Sequence, residues 1–173
     1  MSDSQPLVSI ITPSFNKARF LEETMLSVLN QDYPNIEYIV MDGGSTDASP
    51  EIILNYADRL GYWQSRKDKG QTDAINQGFA RAHGEIFAWL NSDDILYPDA
   101  VSAAVYQLQA HPEVGMVYAD CHWINAEGKV IGNFPAAQTN MKKLRRGYVH
   151  IPQQTAFFRA DLWRKVGPLD DSF

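Results

Sequence analysis

Two apolar runs in this chain stop abruptly at acidic residues. Tyr38-Ile39-Val40-Met41 ends at Asp42-Gly43-Gly44-Ser45-Thr46-Asp47, and Phe87-Ala88-Trp89-Leu90 ends at Asn91-Ser92-Asp93-Asp94. Runs of this composition read as buried strands. Carboxylates just past the carboxyl ends of buried strands stand where open α/β sheets bind their ligands. Adjacent aspartates are hard oxygen donors suited to Mg²⁺ or Mn²⁺, and a metal held there offsets the charge of a departing diphosphate. Together the two acidic strand ends point to a nucleotide and a divalent metal. A plainer use exists for each. Ser45, Thr46 and Asp47 suit a turn that caps the following helix, and Asn91 to Asp94 suit the N-terminus of a helix beginning near Pro98. Capping and binding are compatible, because Asp47 and Ser49 can cap while Asp42 accepts a hydrogen bond from a base N–H. Gly43 and Gly44 allow a tight turn and a close approach of ligand to backbone. The segment is not the dinucleotide fingerprint, which needs three glycines at another spacing.

The elements that must carry these ends alternate between strand and helix character, the pattern of an α/β sheet with crossover helices. Leu7 to Thr12 reads as a first strand stopped by Pro13, and Leu21, Met25, Val28 and Leu29 recur at helical spacing. Ile36 to Met41 is the second strand. Ser49-Pro50 opens the next helix, with Ser49 as N-cap and proline in the first turn. Tyr62 to Ser65 is a short third strand. Ile75, Phe79 and Ala82 mark a helix closed by Gly84. Ile86 to Leu90 is the fourth strand, Val101, Ala104, Val105 and Leu108 line a helix, and Val114 to Ala119 is a fifth strand. Asn125-Ala126-Glu127-Gly128 joins Cys121–Ile124 to Lys129–Ile131 as a hairpin. Thr155 to Arg159 and Ala160 to Val166 close the pattern with a strand and a helix.

Three further segments carry polar chemistry. Thr12-Pro13-Ser14-Phe15-Asn16 follows the first strand. Asp68-Lys69-Gly70-Gln71-Thr72-Asp73 enters a helix whose dipole favours acids, and His150-Ile151-Pro152-Gln153-Gln154-Thr155 enters the late strand. Read alone they are a turn, a solvated charged loop and a polar strand entry. Taken in order with the Asp-Gly turn and the acidic motif, the first before the turn, the second between turn and motif and the third after the motif, they resemble family 2 of the inverting glycosyltransferases, enzymes of the GT-A fold. The resemblance runs from the first strand to Val166-Gly167-Pro168-Leu169-Asp170. It implies a Rossmann-like, mixed and mostly parallel sheet flanked by helices, and nucleotide-sugar donors. It places Pro13, Asp42, Asp68, Lys69, Asp73, Asp93, Gln153 and Gln154 around the donor, with Asp42 on uracil or another base. Asp94, with Asp93, would hold Mn²⁺ or Mg²⁺. The first motif position is Asn91, where many relatives carry aspartate. Relatives place the catalytic base in an acidic pair downstream of the last segment seen here, so the base is expected beyond Phe173 and the 173 residues read as one truncated, donor-binding domain.

Bulk properties narrow the classes. The net charge of -6 argues against a general nucleic-acid binder. The single cysteine, Cys121, excludes an internal disulfide and a cysteine-built cluster, and fits a reducing compartment. No apolar run approaches the ~20 residues of a membrane span, and Met1-Ser2-Asp3-Ser4-Gln5-Pro6 is not a signal peptide. These features predict a cytoplasmic domain. Lys142-Lys143-Leu144-Arg145-Arg146 suits a solvated helix face, an approach to leaving phosphates, or an approach to the inner face of an anionic membrane that carries a lipid-linked glycan acceptor.

The expected activity is inverting transfer of a sugar, uridine-linked in its donor form, to an acceptor hydroxyl in polysaccharide or glycoconjugate synthesis. Two alternatives stand beside it. A sugar-1-phosphate nucleotidylyltransferase shares the sheet and the metal, but usually carries a glycine-rich basic loop where this chain has Ser14-Phe15-Asn16-Lys17. A non-catalytic nucleotide-sugar-binding module fits a truncated chain.

Overall fold

The first strand, β1 (Val8–Ser14), is buried along its whole length, as a strand must be when helices cover both faces of its sheet. After it come α1 (Ala18–Leu29), β2 (Ile36–Asp42), α2 (Ser49–Asn55), β3 (Tyr62–Ser65), α3 (Gln71–Phe79), β4 (Ile86–Trp89) and α4 (Ala100–Ala110). The second part holds β5 (Met116–Val117), the hairpin strands β6 (Cys121–Ile124) and β7 (Val130–Phe134), α5 (Met141–Leu144), β8 (Phe157–Arg159) and α6 (Ala160–Val166). The computed structural model describes residues 5–148 and 150–171.

Six strands form one sheet in the order β3-β2-β1-β4-β8-β5. β1 to β4 run parallel, and β8 lies antiparallel between β4 and β5. This is the mixed, mostly parallel sheet that the sequence predicts. Strand alternation sorts its side chains into two layers. Val8, Ile10, Tyr38, Val40, Ile86 and Ala88 pack with Leu21, Met25 and Val28 of α1, Ile53 of α2 and Val101 and Leu108 of α4. Ile11, Ile39, Met41 and Phe87 turn the other way, onto Ala74, Ile75 and Phe79 of α3 and Ala160 of α6. Burying each of the larger side chains contributes about 1.5–3 kcal/mol. In the second layer Phe79 stacks on Phe87 at 4.9 Å and meets Trp163 at 4.4 Å and Phe158 at 5.7 Å. One aromatic ring thus joins α3, β4, β8 and α6.

Several boundaries differ from the sequence reading. β1 does not stop at Pro13 but continues to Ser14, pairing Pro13 with Met41 and Ser14 with Asp42. Its ladder with β4 ends at Ile11 and Trp89, so the missing N–H of Pro13 falls on a side that has no further strand to pair. Ser49 lies inside α2 rather than capping it, and Ala48 takes the cap position. α3 ends at Phe79, well before Gly84, because the next bonds tighten to three-residue spacing (Arg81 N–H to Gly78 and Ala82 N–H to Phe79). β5 shortens to two residues, and Gln153–Thr155 form a 3-10 turn before β8.

Candidate functional site

The loops after β1 and β2 are interlocked by side chains. Asn16 takes a positive φ of 53°. Its N–H donates to Ser45 Oγ at 2.8 Å, and its Oδ1 accepts from the Thr46 N–H at 2.9 Å. Asp47 caps two helices at once, accepting from the Ala18 N–H of α1 at 2.9 Å and the Ser49 N–H of α2 at 3.0 Å. Desolvation pushes its carboxyl up, but bonds from the Ser49 hydroxyl and these amides outweigh it and hold the carboxyl below its usual range.

Asp42, expected on a nucleotide base, is placed differently. It is fully buried, and its Oδ2 accepts from Ser65 Oγ at 2.6 Å, the Ser45 N–H at 2.9 Å and the Gly44 N–H at 3.2 Å. Its Oδ1 accepts from Ser45 Oγ. The carboxylate organises the turn beneath the site instead of lining it. Gly44, at φ 82°, makes the turn that brings these N–H groups round. A Cβ on Gly44 would come within 2.9 Å of the Lys67 backbone nitrogen.

Above this turn is a polar cleft of about 540 Å³ at the carboxyl ends of β1, β2 and β4. Of the expected donor residues, Pro13, Asp68 and Asp93 line it. The Asp68 carboxylate lies directly over Gly43, where a Cβ would come within 3.0 Å of it. Its Oδ1 also accepts the Gly70 N–H at 2.8 Å. Lys69 and Asp73 stay outside the cleft wall. The Lys69 N–H donates to Asp73 at 3.0 Å, and Asp73 also holds Gln77 at 2.8 Å, so this pair fixes the start of α3. Gln153 is engaged on both ends, donating to the Trp89 carbonyl at 2.8 Å and accepting from Asn91 at 3.1 Å. Gln154 faces another cavity, where it donates to Cys121 Sγ at 3.1 Å.

The acidic motif is organised by Asn91. Its amide nitrogen donates to Asp94 and Gln153, each at 3.1 Å, while its oxygen accepts from Gln71 at 2.6 Å. Burial pushes the Asp94 carboxyl above its usual range; the Asn91 bond and Lys17 oppose this, and the Asp93 charge adds to it. Among the described residues no group of three or more His, Cys, Asp or Glu side chains is arranged to hold a metal. Two neighbouring carboxylates, one of them charged only at a cost, fit a hard divalent ion that takes its remaining ligands from phosphate and water. Asp94 and Asp93 are the residues that could hold it.

Phe15, Lys67 and Gln71 line the polar cleft from segments that the sequence reading tied to the donor without singling these residues out, and Lys17, which it did not place at the site, lines it too. Lys17 reaches Asp93 at 2.6 Å, and Phe15 is exposed at the cleft. Ser14 carries a buried hydroxyl that has no partner among the described residues. Position at the end of a strand that feeds the site, or just past it, was the available signal for Ser14, Phe15 and Lys17.

A second feature concerns charge. Residues 128 to 160 carry six of the fifteen Lys and Arg residues and none of the 21 acids. Lys142, Lys143 and Arg146 line a shallow hollow with Tyr148 and His150, flanked by exposed Met141 and Leu144. Among the described residues no helix is long and apolar enough to cross a membrane.

Comparison with known proteins agrees with this architecture. The family model described as "Glycosyl transferase family 2" matches residues 9–167. The chain therefore belongs to glycosyl transferase family 2. It is 36% identical over 173 residues to a protein of Mycobacterium tuberculosis named as an uncharacterized glycosyltransferase, covering 98% of this chain and 65% of that protein. A similarly named Rickettsia typhi protein is 42% identical over 96 residues, covering 56% of this chain and 30% of its own length. The chain thus spans less than two thirds of the length of these relatives. Among solved structures, S. aureus TarS 1-349 in complex with UDP-GlcNAc superposes with a TM-score of 0.74 at 21% identity, over 92% of this chain and 47% of that one. The mannosyltransferase PcManGT from Pyrobaculum calidifontis, in complex with GDP-Man and Mn2+, gives a TM-score of 0.74 at 23% identity, over 98% and 49%. These likenesses establish the GT-A fold.

Proposed function

We propose that the chain binds a nucleotide-diphospho-sugar in the polar cleft and serves its transfer, with inversion, to an acceptor hydroxyl. The observation that carries this reading is the convergence of Lys17, Asp68 and Asp93 on one cleft at the strand ends, with Asp94 beside it. The UDP-GlcNAc and GDP-Man complexes of the superposed proteins support a nucleotide-sugar. We favour a uridine-linked donor, as the sequence resemblance implies. Phe15 offers an aromatic face to a base, and Asp68 offers an acceptor to a base N–H or ribose hydroxyl. Lys17 would turn from Asp93 to the diphosphate as the nucleotide enters. A divalent ion held by Asp94 and Asp93, as Mn2+ accompanies the neighbouring mannosyltransferase, would supply positive charge to the leaving diphosphate. Asn91 orients Asp94 for that task. The acceptor attacks from the face opposite the diphosphate and yields its proton to a carboxylate base. None of the cleft residues is assigned that base.

The basic stretch from 128 to 160 supports docking at an anionic membrane surface, the setting of a lipid-linked glycan acceptor in polysaccharide or glycoconjugate synthesis. Calorimetric titration with UDP and GDP, with and without Mn²⁺, tests the donor reading. Metal-dependent binding that Asp94→Ala removes, without loss of fold, is expected. Affinity indifferent to both metal and substitution would refute it. Donor hydrolysis by the same sample separates an enzyme from a module that only binds.

A further inference from the structure

A second cavity among the described residues is larger than the polar cleft. It has a volume of about 850 Å³ and lies between the segment running from Asp93 into α4, the end of β5 and the β6–β7 hairpin. Asp93 belongs to both cavities, so they meet at the acidic motif. The lining of the large cavity mixes polar and apolar groups, and Glu23, Asp99 and Asp120 belong to it as well. Asp93, Asp94, Gln154 and Thr155 supply polar groups where the two cavities meet, and Leu96, Ala103, Val117, Ile124, Val130 and Phe157 supply an apolar wall. One of these polar groups is already satisfied: Thr155 Oγ1 donates to the Ala119 carbonyl at 2.8 Å. Across the cavity the Tyr97 hydroxyl meets His122 Nδ1 at 2.6 Å, tying the loop before α4 to the hairpin. A cavity of this size, mostly apolar with a few convergent polar groups, is the ordinary form of a small-molecule site.

We propose that this cavity receives the acceptor, and that the acceptor is an amphiphile. Its hydroxyl-bearing head lies at the Asp93–Asp94 end and its hydrocarbon body lies along α4 and the hairpin. The assignment rests on the transferase reading of the polar cleft, because only a donor held beside Asp93 gives the head a partner. The apolar wall selects for chain length. Each methylene buried there tightens binding about fourfold until the wall is covered. A purely polar sugar would leave that wall facing water and gain nothing from it.

The test uses the whole chain and three probes, hexyl, heptyl and octyl β-D-glucoside, titrated below their micelle concentrations. Affinity should rise about fourfold per methylene. Ala103→Trp fills the cavity from an exposed helix position, and Val130→Glu places a charge on its wall from an exposed strand position. Either substitution should abolish the chain-length dependence while leaving nucleoside diphosphate binding unchanged. Affinity independent of chain length, or a dependence that survives both substitutions, would overturn the proposal. Octyl glucoside presented in phosphatidylcholine vesicles separates the two sources. Stronger capture from vesicles, sensitive to the same substitutions, marks a lipid acceptor, and stronger capture from solution marks a free amphiphile. If UDP fails to bind the unsubstituted chain while the glucoside series behaves as expected, the transferase reading fails and the amphiphile site remains.

Discussion

The Lys17 ammonium lies 2.6 Å from the Asp93 carboxylate, bridging the loop after β1 and the loop after β4 across the polar cleft. Both side chains are about two-fifths exposed, so the pair itself adds little stability. On the proposed donor reading, the pair keeps a cation where a diphosphate would be held. Lys17→Met should therefore weaken UDP binding in the presence of Mn²⁺ about tenfold or more, the loss of one charge-assisted bond. The thermal midpoint should hardly move. Titration calorimetry decides it, since unchanged UDP affinity would mean that Lys17 only decorates the surface.

Asn91→Asp tests whether the amide at the first motif position is essential. The substitution removes the donor to Asp94 and Gln153 and sets a third carboxylate beside Asp93 and Asp94. Mn²⁺ should partly offset the crowding. The expected result is a protein less stable without metal and stabilised more strongly by added Mn²⁺ than the unsubstituted chain. Thermal melts at a series of Mn²⁺ concentrations measure this, and identical metal responses in the two proteins would contradict it.

Asp42→Ala should act on stability before it acts on binding. It strips the partner from Gly44, Ser45 and Ser65 together in a fully buried turn. A loss of about 3 kcal/mol or more is expected, read from the urea midpoint. A variant of ordinary stability with weakened UDP binding would restore Asp42 to the base.

Acid stability should report Glu37. Burial pushes its carboxyl up, but hydrogen bonds from the His83 ring, the Ser9 hydroxyl and the His83 N–H outweigh this and hold it below its ordinary value of 4.5. A carboxyl depressed in the folded state contributes stability that is complete above the unfolded value. That contribution is lost as pH falls through the folded one. Glu37→Gln should flatten the acid limb of the stability curve below about pH 4.5 and change little in its shape at neutral pH. Denaturant melts from pH 3 to pH 7 (about one unit apart) would reveal parallel curves if the network had no such role.

The basic stretch predicts a salt-sensitive surface association. Vesicles containing phosphatidylserine should co-sediment with the chain at low salt and release it as ionic strength rises. Replacing Lys142, Lys143, Arg145 and Arg146 by Gln should remove that fraction. Equal binding to neutral phosphatidylcholine vesicles would point to the exposed Met141 and Leu144 instead.

Much of the fold was legible because strand alternation and helical spacing report burial directly. The strand β3 and the helix α6 fall where the pattern puts them. The acidic strand ends were legible for the same reason, since an apolar run must stop where it leaves the core. The direction each carboxylate takes was not. Asp42 and Asp68 look alike in sequence. A positive φ at Gly44 folds amides onto Asp42 and buries it, while the absence of a Cβ at Gly43 lets Asp68 lie over the strand end. Gln153 and Gln154 are neighbours of one type, yet the 3-10 turn sends one to Trp89 and the other to Cys121. Such differences come from long-range packing that no local pattern carries.

The position of β8 in the sheet has a consequence for how the chain is made. Among the described residues β5 pairs only with β8, and β8 emerges about forty residues later in sequence. During synthesis at about 5–20 residues per second, β5 waits roughly 2–8 s with both edges unpaired. The β3-β2-β1-β4 half can already close in that interval. Completion of the sheet then depends on a late, non-local insertion of Phe157–Arg159, the kind of step that slows folding and exposes strand edges to neighbours. Nascent chains stalled before Phe157 should accordingly be more prone to aggregate than chains released after α6 has emerged.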